Sequence, residues 1–232
     1  MGEIVWIRSA GTGHRTAARA PSCGLAALPQ WKHSGKRGHA NGTGTMQVEA
    51  LRIQDVKLLT PKIFRDERGF FSETYNRQVL AAAGIDRTFV QDNQSLSRSK
   101  GVLRGLHFQI VPHPQGKLVR VTRGAIFDVA VDIRRGSPSF GQHVSTTLSA
   151  ENWSQLWIPE GFAHGFCTLE PDTEVIYKVT DFYAPECDRG LAWDDPDLGI
   201  AWPLSETQAL LSDKDRSHPR LRDLPTHFVT AT

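Results

Sequence analysis

From Met46 onward, apolar and polar positions alternate in short, closely spaced runs, the pattern of half-buried strands rather than helices. Strands are expected at 102–109, 117–122, 125–133, 144–148, 155–158, 165–169 and 173–182, with 89–97 leading into the first of them. Pro61 with the DERG cluster at 66–69 marks a turn before the strand of Phe70 and Phe71, and the HPQG at 113–116 marks another. Along 125–133, period two puts Phe127, Val129, Val131 and Ile133 on one face and Ile126, Asp128, Ala130 and Asp132 on the other. The wholly apolar face is expected to form the core between two sheets. Helical character is confined to 76–84, Ala-rich and closed by Gly84, and to 204–214. Short strands, close turns and scarce helix predict an all-β fold, a double-sheet jelly roll.

Residues 1–45 break this pattern. They carry six Lys/Arg against the single acid Glu3, with abundant Gly, Ala, Thr and His and no sustained period. The strand-like start followed by Gly11-Thr-Gly13 resembles a dinucleotide fingerprint, but the third glycine position is Thr16 and Pro21 interrupts any helix. This stretch is expected to be a disordered extension, or translated sequence upstream of the real start, with one domain over 46–232. Without it the chain is slightly acidic, 21 Lys/Arg against 24 Asp/Glu, so nucleic-acid binding has no support. No apolar run is long enough to span a membrane. Three cysteines, Cys23, Cys167 and Cys187, without CxxC spacing, fit a reducing cytoplasm.

Chemistry concentrates in VLRGLHFQ, 102–109. An imidazole titrates near neutrality and serves as a general base, so His107 is the first candidate. A carboxylate would orient its ring, and the sequence leaves two open, Asp128 and Asp215 of SDKD. Arg104 offers a permanent, fork-shaped cation suited to phosphate oxygens. Strict alternation puts Arg104 and His107 on opposite faces, so a shared site requires an irregularity, and Gly105 between them could host a bulge. Gln91, Asp92 and Asn93 crowd upstream. Lys117, at a strand entrance, could stabilise an oxyanion. His164 sits in an apparent turn, IPEGFAHGF. Tyr177 shares a face with Val175, Val179 and Tyr183 and is a candidate general acid.

Eight segments together, in one order over about 46–224, resemble the dTDP-4-dehydrorhamnose 3,5-epimerase family: FRDERGFFSE, FVQDNQS, GVLRGLHFQ, QGKLVRV, FDVAVDIRRGSPSFG, LWIPEGFAHGF, YKVTDFYAPECDRG and LSDKD. The resemblance implies a cupin-type jelly roll acting as a cytoplasmic homodimer on a dTDP-linked 4-keto-6-deoxyhexose, without cofactor or metal. It implies His107 as base with Asp215 as its partner, Tyr177 as acid and Lys117 at the enolate oxygen. It also carries substrate binding onto Arg68, Glu73, Gln91, Asp92, Asn93, Arg104, Lys117, His164, Asp188 and Lys214, with Arg68 and Glu73 supplied by the partner subunit.

Three other readings fit the sequence. A 3- or 5-epimerase or ketoisomerase on the same fold is the nearest, and Tyr177 favours double inversion. A metal-dependent cupin needs several histidines and a carboxylate converging on one ion; Phe108 and Gln109 follow His107, so local spacing offers no such set. A non-catalytic sugar-nucleotide scaffold has no need of His107 together with Tyr177.

Overall fold

The structure, a computed structural model, describes residues 46–204 and 208–230. The expectation for 1–45 lies outside these residues. In chain order come β1 (Met46–Ala50), β2 (Lys57–Pro61), β3 (Ile63–Asp66), β4 (Gly69–Ser72), α1 (Arg77–Ala82) and β5 (Gln91–Ser97). The central strands are β6 (Leu103–Gln109), β7 (Lys117–Arg123), β8 (Ala125–Asp132), β9 (Arg134–Arg135) and β10 (His143–Ser149). The last are β11 (Gln155–Ile158), β12 (Phe162–Thr168), β13 (Thr173–Val179), β14 (Asp188–Gly190) and β15 (Phe228–Val229).

Two antiparallel sheets form the expected jelly roll. One has the order β1-β2-β11-β7-β13-β5, the other β10-β8-β12-β6-β14. Their inner faces meet in an apolar core of Val119, Val121, Leu156, Ile158 and Val175 from the first sheet against Ile126, Ala130, Val144, Leu148, Phe162 and Phe166 from the second.

This corrects the face assignment on β8. Ile126 and Ala130 point into the sandwich, and Asp128 goes with them. Val129, Val131 and Ile133 point outward, where Leu191, Leu198, Leu221 and Leu224 of the C-terminal segment cover them. Alternation separates two faces but does not say which is inside when both end up covered. Asp132 is also fully buried, satisfied by Arg134, Ser137 and Ser139.

Helix α1 is shorter than expected but begins and ends for the expected reasons. The Asn76 side chain caps it by accepting from the Gln78 and Val79 N–H groups. Gly84, at φ +80°, lets the Gly84 and Ile85 N–H groups reach the carbonyls of Ala81 and Leu80. The predicted late helix is not found in the described part of 204–214. There Leu210 bridges to Val102 and exchanges backbone hydrogen bonds with Gly101 and Leu103, while Leu204, Ala209 and Leu211 pack with Leu103 and Trp193. An unpaired strand edge and an apolar shelf outweigh the helical spacing here.

His164 lies inside β12 rather than in a turn, because that strand starts at Phe162. Tyr183 stands beyond the end of β13, so it does not continue the Tyr177 face. The irregularity expected at Gly105 is present. His164 pairs with His107 and Phe166 with Arg104, so three steps on β6 oppose two on β12. A Cβ at Gly105 would lie 2.5 Å from Gly165 Cα and 2.9 Å from the His164 oxygen, at φ +133°. Gly105→Ala is therefore expected to cost about 2 kcal/mol or more. For a domain of this size that lowers the melting temperature by roughly 4–8 °C. An unchanged thermal melt would contradict this reading of the bulge.

Candidate active site

A cavity of about 500 Å³ opens between the two sheets. Arg104 and His107 on β6 and His164 on β12 line it from one sheet; Ser95 on β5, Lys117 on β7 and Tyr177 on β13 line it from the other. Ser212 and Asp215 close it from the C-terminal segment. The extra residue at the bulge is what turns both Arg104 and His107 to this side. A neighbouring recess of about 140 Å³ shares His107, Lys117 and Tyr177 and adds Gln91, Asn93 and Asp188.

The choice of carboxylate for His107 resolves cleanly. Its Nε2 lies 2.5 Å from Asp215 Oδ1, while His164 Nε2 lies 3.0 Å and 3.1 Å from the oxygens of Asp128. Burial pushes the Asp215 carboxyl up, but hydrogen bonds from His107, Ser212 and the Gly105 N–H outweigh it and hold the pKa at about 2. An ionised Asp215 only accepts, so the imidazole hydrogen belongs on Nε2 and the lone pair on Nδ1. His107 thus keeps a basic nitrogen, on a ring oriented by a buried anion.

Lys117 is buried rather than solvated, and its Nζ donates to the His107 carbonyl at 3.4 Å. Burial lowers its pKa to about 8, partly offset by Asp188 and Asp128. Burial, with a contribution from Asp188, raises the Tyr177 phenol against the opposing charge of Arg104, so it is protonated at neutral pH. Burial likewise lowers His164 in spite of Asp128. Between facing sheets there is therefore an oriented base, a protonated phenol and a dehydrated cation.

The remaining candidates divide. Gln91 and Asn93 point inward, linked by a 2.9 Å hydrogen bond. Asp188 accepts from the Tyr183 hydroxyl at 3.1 Å and pairs with Lys214 at the rim of the recess. Asp92 is on the opposite face of β5, paired with Lys178 at 2.9 Å, and does not line the cavity of its own chain. Alternation along β5 forces this: with Gln91 and Asn93 facing inward, Asp92 between them faces out. Glu73 accepts from Asn76 and lines the same outer groove as Asp92. Arg68, at the β3–β4 turn, pairs with Asp66 and is far more exposed than buried.

Two residues near His107 went unnoticed in the sequence. Ser212 donates to Asp215 at 2.6 Å, and its place in the same LSDKD segment was the available signal. The His218 ring packs edge-on to His107, with centroids 5.5 Å apart, over the bare backbone of Gly190. Its Nε2 is buried, has no hydrogen-bond partner and lies 3.9 Å from Asp215 Oδ1.

The chain matches the family model of dTDP-4-dehydrorhamnose 3,5-epimerase over residues 50–223. The chain belongs to the dTDP-4-dehydrorhamnose 3,5-epimerase family. A dTDP-4-dehydrorhamnose 3,5-epimerase of Sinorhizobium fredii is 55% identical over 183 residues, 79% of this chain and 93% of that one. The crystal structure of the dTDP-6-deoxy-D-glucose-3,5-epimerase of Legionella pneumophila, in complex with dTDP-4-keto-L-rhamnose, is 47% identical with a TM-score of 0.77, covering 81% of this chain and all of that one. A 3'-monoepimerase of Streptomyces bikiniensis in complex with dTDP-quinovose has a TM-score of 0.69 at 35% identity, covering 74% and 86%. The jelly roll is thus the cupin-like fold of this epimerase family. No helix of the described residues is long and apolar enough to cross a membrane.

Proposed function

We propose that the protein is a dTDP-4-dehydrorhamnose 3,5-epimerase, inverting C3 and C5 of dTDP-4-keto-6-deoxy-D-glucose to give dTDP-4-keto-L-rhamnose. The observation that carries the reading is the placement of His107 and Tyr177 on opposing sheets across one cavity. The C4 ketone acidifies the hydrogens on both neighbouring carbons. His107 Nδ1 takes one of them, and Asp215 stabilises the resulting imidazolium. The electron pair moves onto the ketone oxygen, where Lys117 balances the enolate charge. Tyr177 returns a proton to the same carbon from the far side, which inverts it. Arg104 binds the diphosphate, with Gln91, Asn93, His164, Asp188 and Lys214 as further substrate contacts.

We further infer a cytoplasmic homodimer, with the activity in the domain over 46–232. The hairpin β3–β4, which carries Arg68, leaves Phe64, Phe70 and Phe71 exposed. Aromatic side chains so displayed on a hairpin are suited to a second copy, and Arg68 and Glu73 then serve the partner's site. Asp92, on the outer face, is assigned no role in the cavity of its own chain. Among the described residues, Cys167 and Cys187 are buried free thiols, in keeping with a reducing compartment.

The test is to incubate the purified protein with dTDP-4-keto-6-deoxy-D-glucose, without additives, and assign the product configuration by NMR. dTDP-4-keto-L-rhamnose is expected; recovery of unchanged substrate would refute the activity. Lys117 adds a pH prediction. Its ammonium is present below about 8, so turnover is expected to fall as pH rises through that value. Loss of fold is not the cause. The unfolded lysine titrates at 10.5, so between the two values the folded chain binds fewer protons and this group adds stability as pH rises. A rate that stays flat to pH 10 would remove Lys117 from the enolate site.

A further inference from the structure

We propose that His107, Asp215 and His218 form a site for a borderline transition-metal dication of the Zn²⁺ type, and that the ion is an inhibitor rather than a cofactor. The three side chains offer two imidazole nitrogens and one carboxylate oxygen, all within 4.8 Å of one another. Two nitrogens and an oxygen suit Zn²⁺ and its neighbours and do not suit Ca²⁺ or Mg²⁺, which prefer oxygen.

His218 carries the inference. Its side chain is only 9% exposed, yet its Nε2 has no hydrogen-bond partner, which is costly for a buried polar atom. The ring occupies space that exists only because residue 190 is glycine: a Cβ there would stand 2.2 Å from that nitrogen. Zinc sits about 2.0–2.2 Å from nitrogen and oxygen ligands, so tetrahedral donors stand about 3.3–3.5 Å apart. His107 and Asp215 must open from 2.5 Å, and His218 must close on Asp215 from 3.9 Å. Both are adjustments of about 1 Å or less between side chains. The ion enters through the cavity, where the His107 side chain is 30% exposed, and the open cavity leaves a fourth position for water.

Binding changes the chemistry of His107. The metal–nitrogen bond forms at Nε2, which gives up its hydrogen to solvent, while Nδ1 takes a proton from solvent, so the imidazole stays neutral with one proton. Nδ1 then has no lone pair to abstract a substrate hydrogen. This inhibition rests on the proposed role of His107 as base; the binding itself does not.

The test uses full-length enzyme and two readouts. Equilibrium dialysis against Zn²⁺ alone is expected to give one ion per chain displaced from this site in His218→Asn, with affinity at least about tenfold weaker, since even outer-shell changes cost about 10–100-fold. Co²⁺ as a spectroscopic probe is expected to show four-coordinate visible absorption in the native chain and to lose it in the variant. His113→Asn, which removes the separate pair with Asp181, is the control and should change neither. His218→Gln, with a thermal melt, guards against a folding defect in the first variant. Equal Zn²⁺ affinity in native and His218 variants would overturn the site. Inhibition is read against each protein's own metal-free rate. Binding that depends on His218 yet leaves the native rate unchanged would keep the site and refute His107 as the base.

Discussion

His107→Ala is expected to lower turnover by about 10²–10⁴-fold, the usual contribution of a positioned general base, and to abolish hydrogen exchange at both ring carbons. The loss should appear in kcat, because the imidazole acts on the transition state while Arg104 and the other cavity groups still hold the ground state. The fold should survive. Asp215 retains the Ser212 hydroxyl and the Gly105 N–H as donors, so its buried charge is not left bare. Without the imidazole its pKa should move up from about 2 towards the ordinary carboxylate range. A variant that melts normally and still exchanges both hydrogens would exclude His107 as the base.

Tyr177→Phe is expected to separate removal of a proton from its return. The base remains, so solvent hydrogen still enters the recovered substrate. The far-side donor is gone, so inversion slows by about 10²–10⁴-fold. The change removes a single oxygen from a half-buried side chain on β13 and leaves the strand pairing intact. Product NMR against total label uptake measures the two processes in one sample. Equal loss of exchange and inversion would mean that Tyr177 does not act after the proton leaves.

The sequence disclosed the site unevenly, for physical reasons. The jelly roll was legible because strand periodicity and turn residues are local. So was the bulge: two polar side chains separated by three positions can share a pocket only if the strand adds a residue, and Gly105 is the one that can host it. Pairings across the chain were not legible from residue patterns alone, and Asp215 was singled out for His107 only by the family resemblance. His107 and Asp215 are 108 positions apart, and only the C-terminal segment folding back over the cavity brings them together. His218 came with that same segment and left no local trace. The inward face of β8 is not legible in its alternation because the outer face is apolar too, covered by the segment carrying Leu191, Leu198 and Leu221. The facing of Asp92 is legible by contrast: alternation along β5 places it away from Gln91 and Asn93.

The measurement closest to the central claim is solvent-deuterium incorporation into dTDP-4-keto-6-deoxy-D-glucose by the native protein, read position by position. Label at both C3 and C5 in an L-configured product is expected from one base and one acid on facing sheets. Label at a single carbon, or inversion without label, would contradict it.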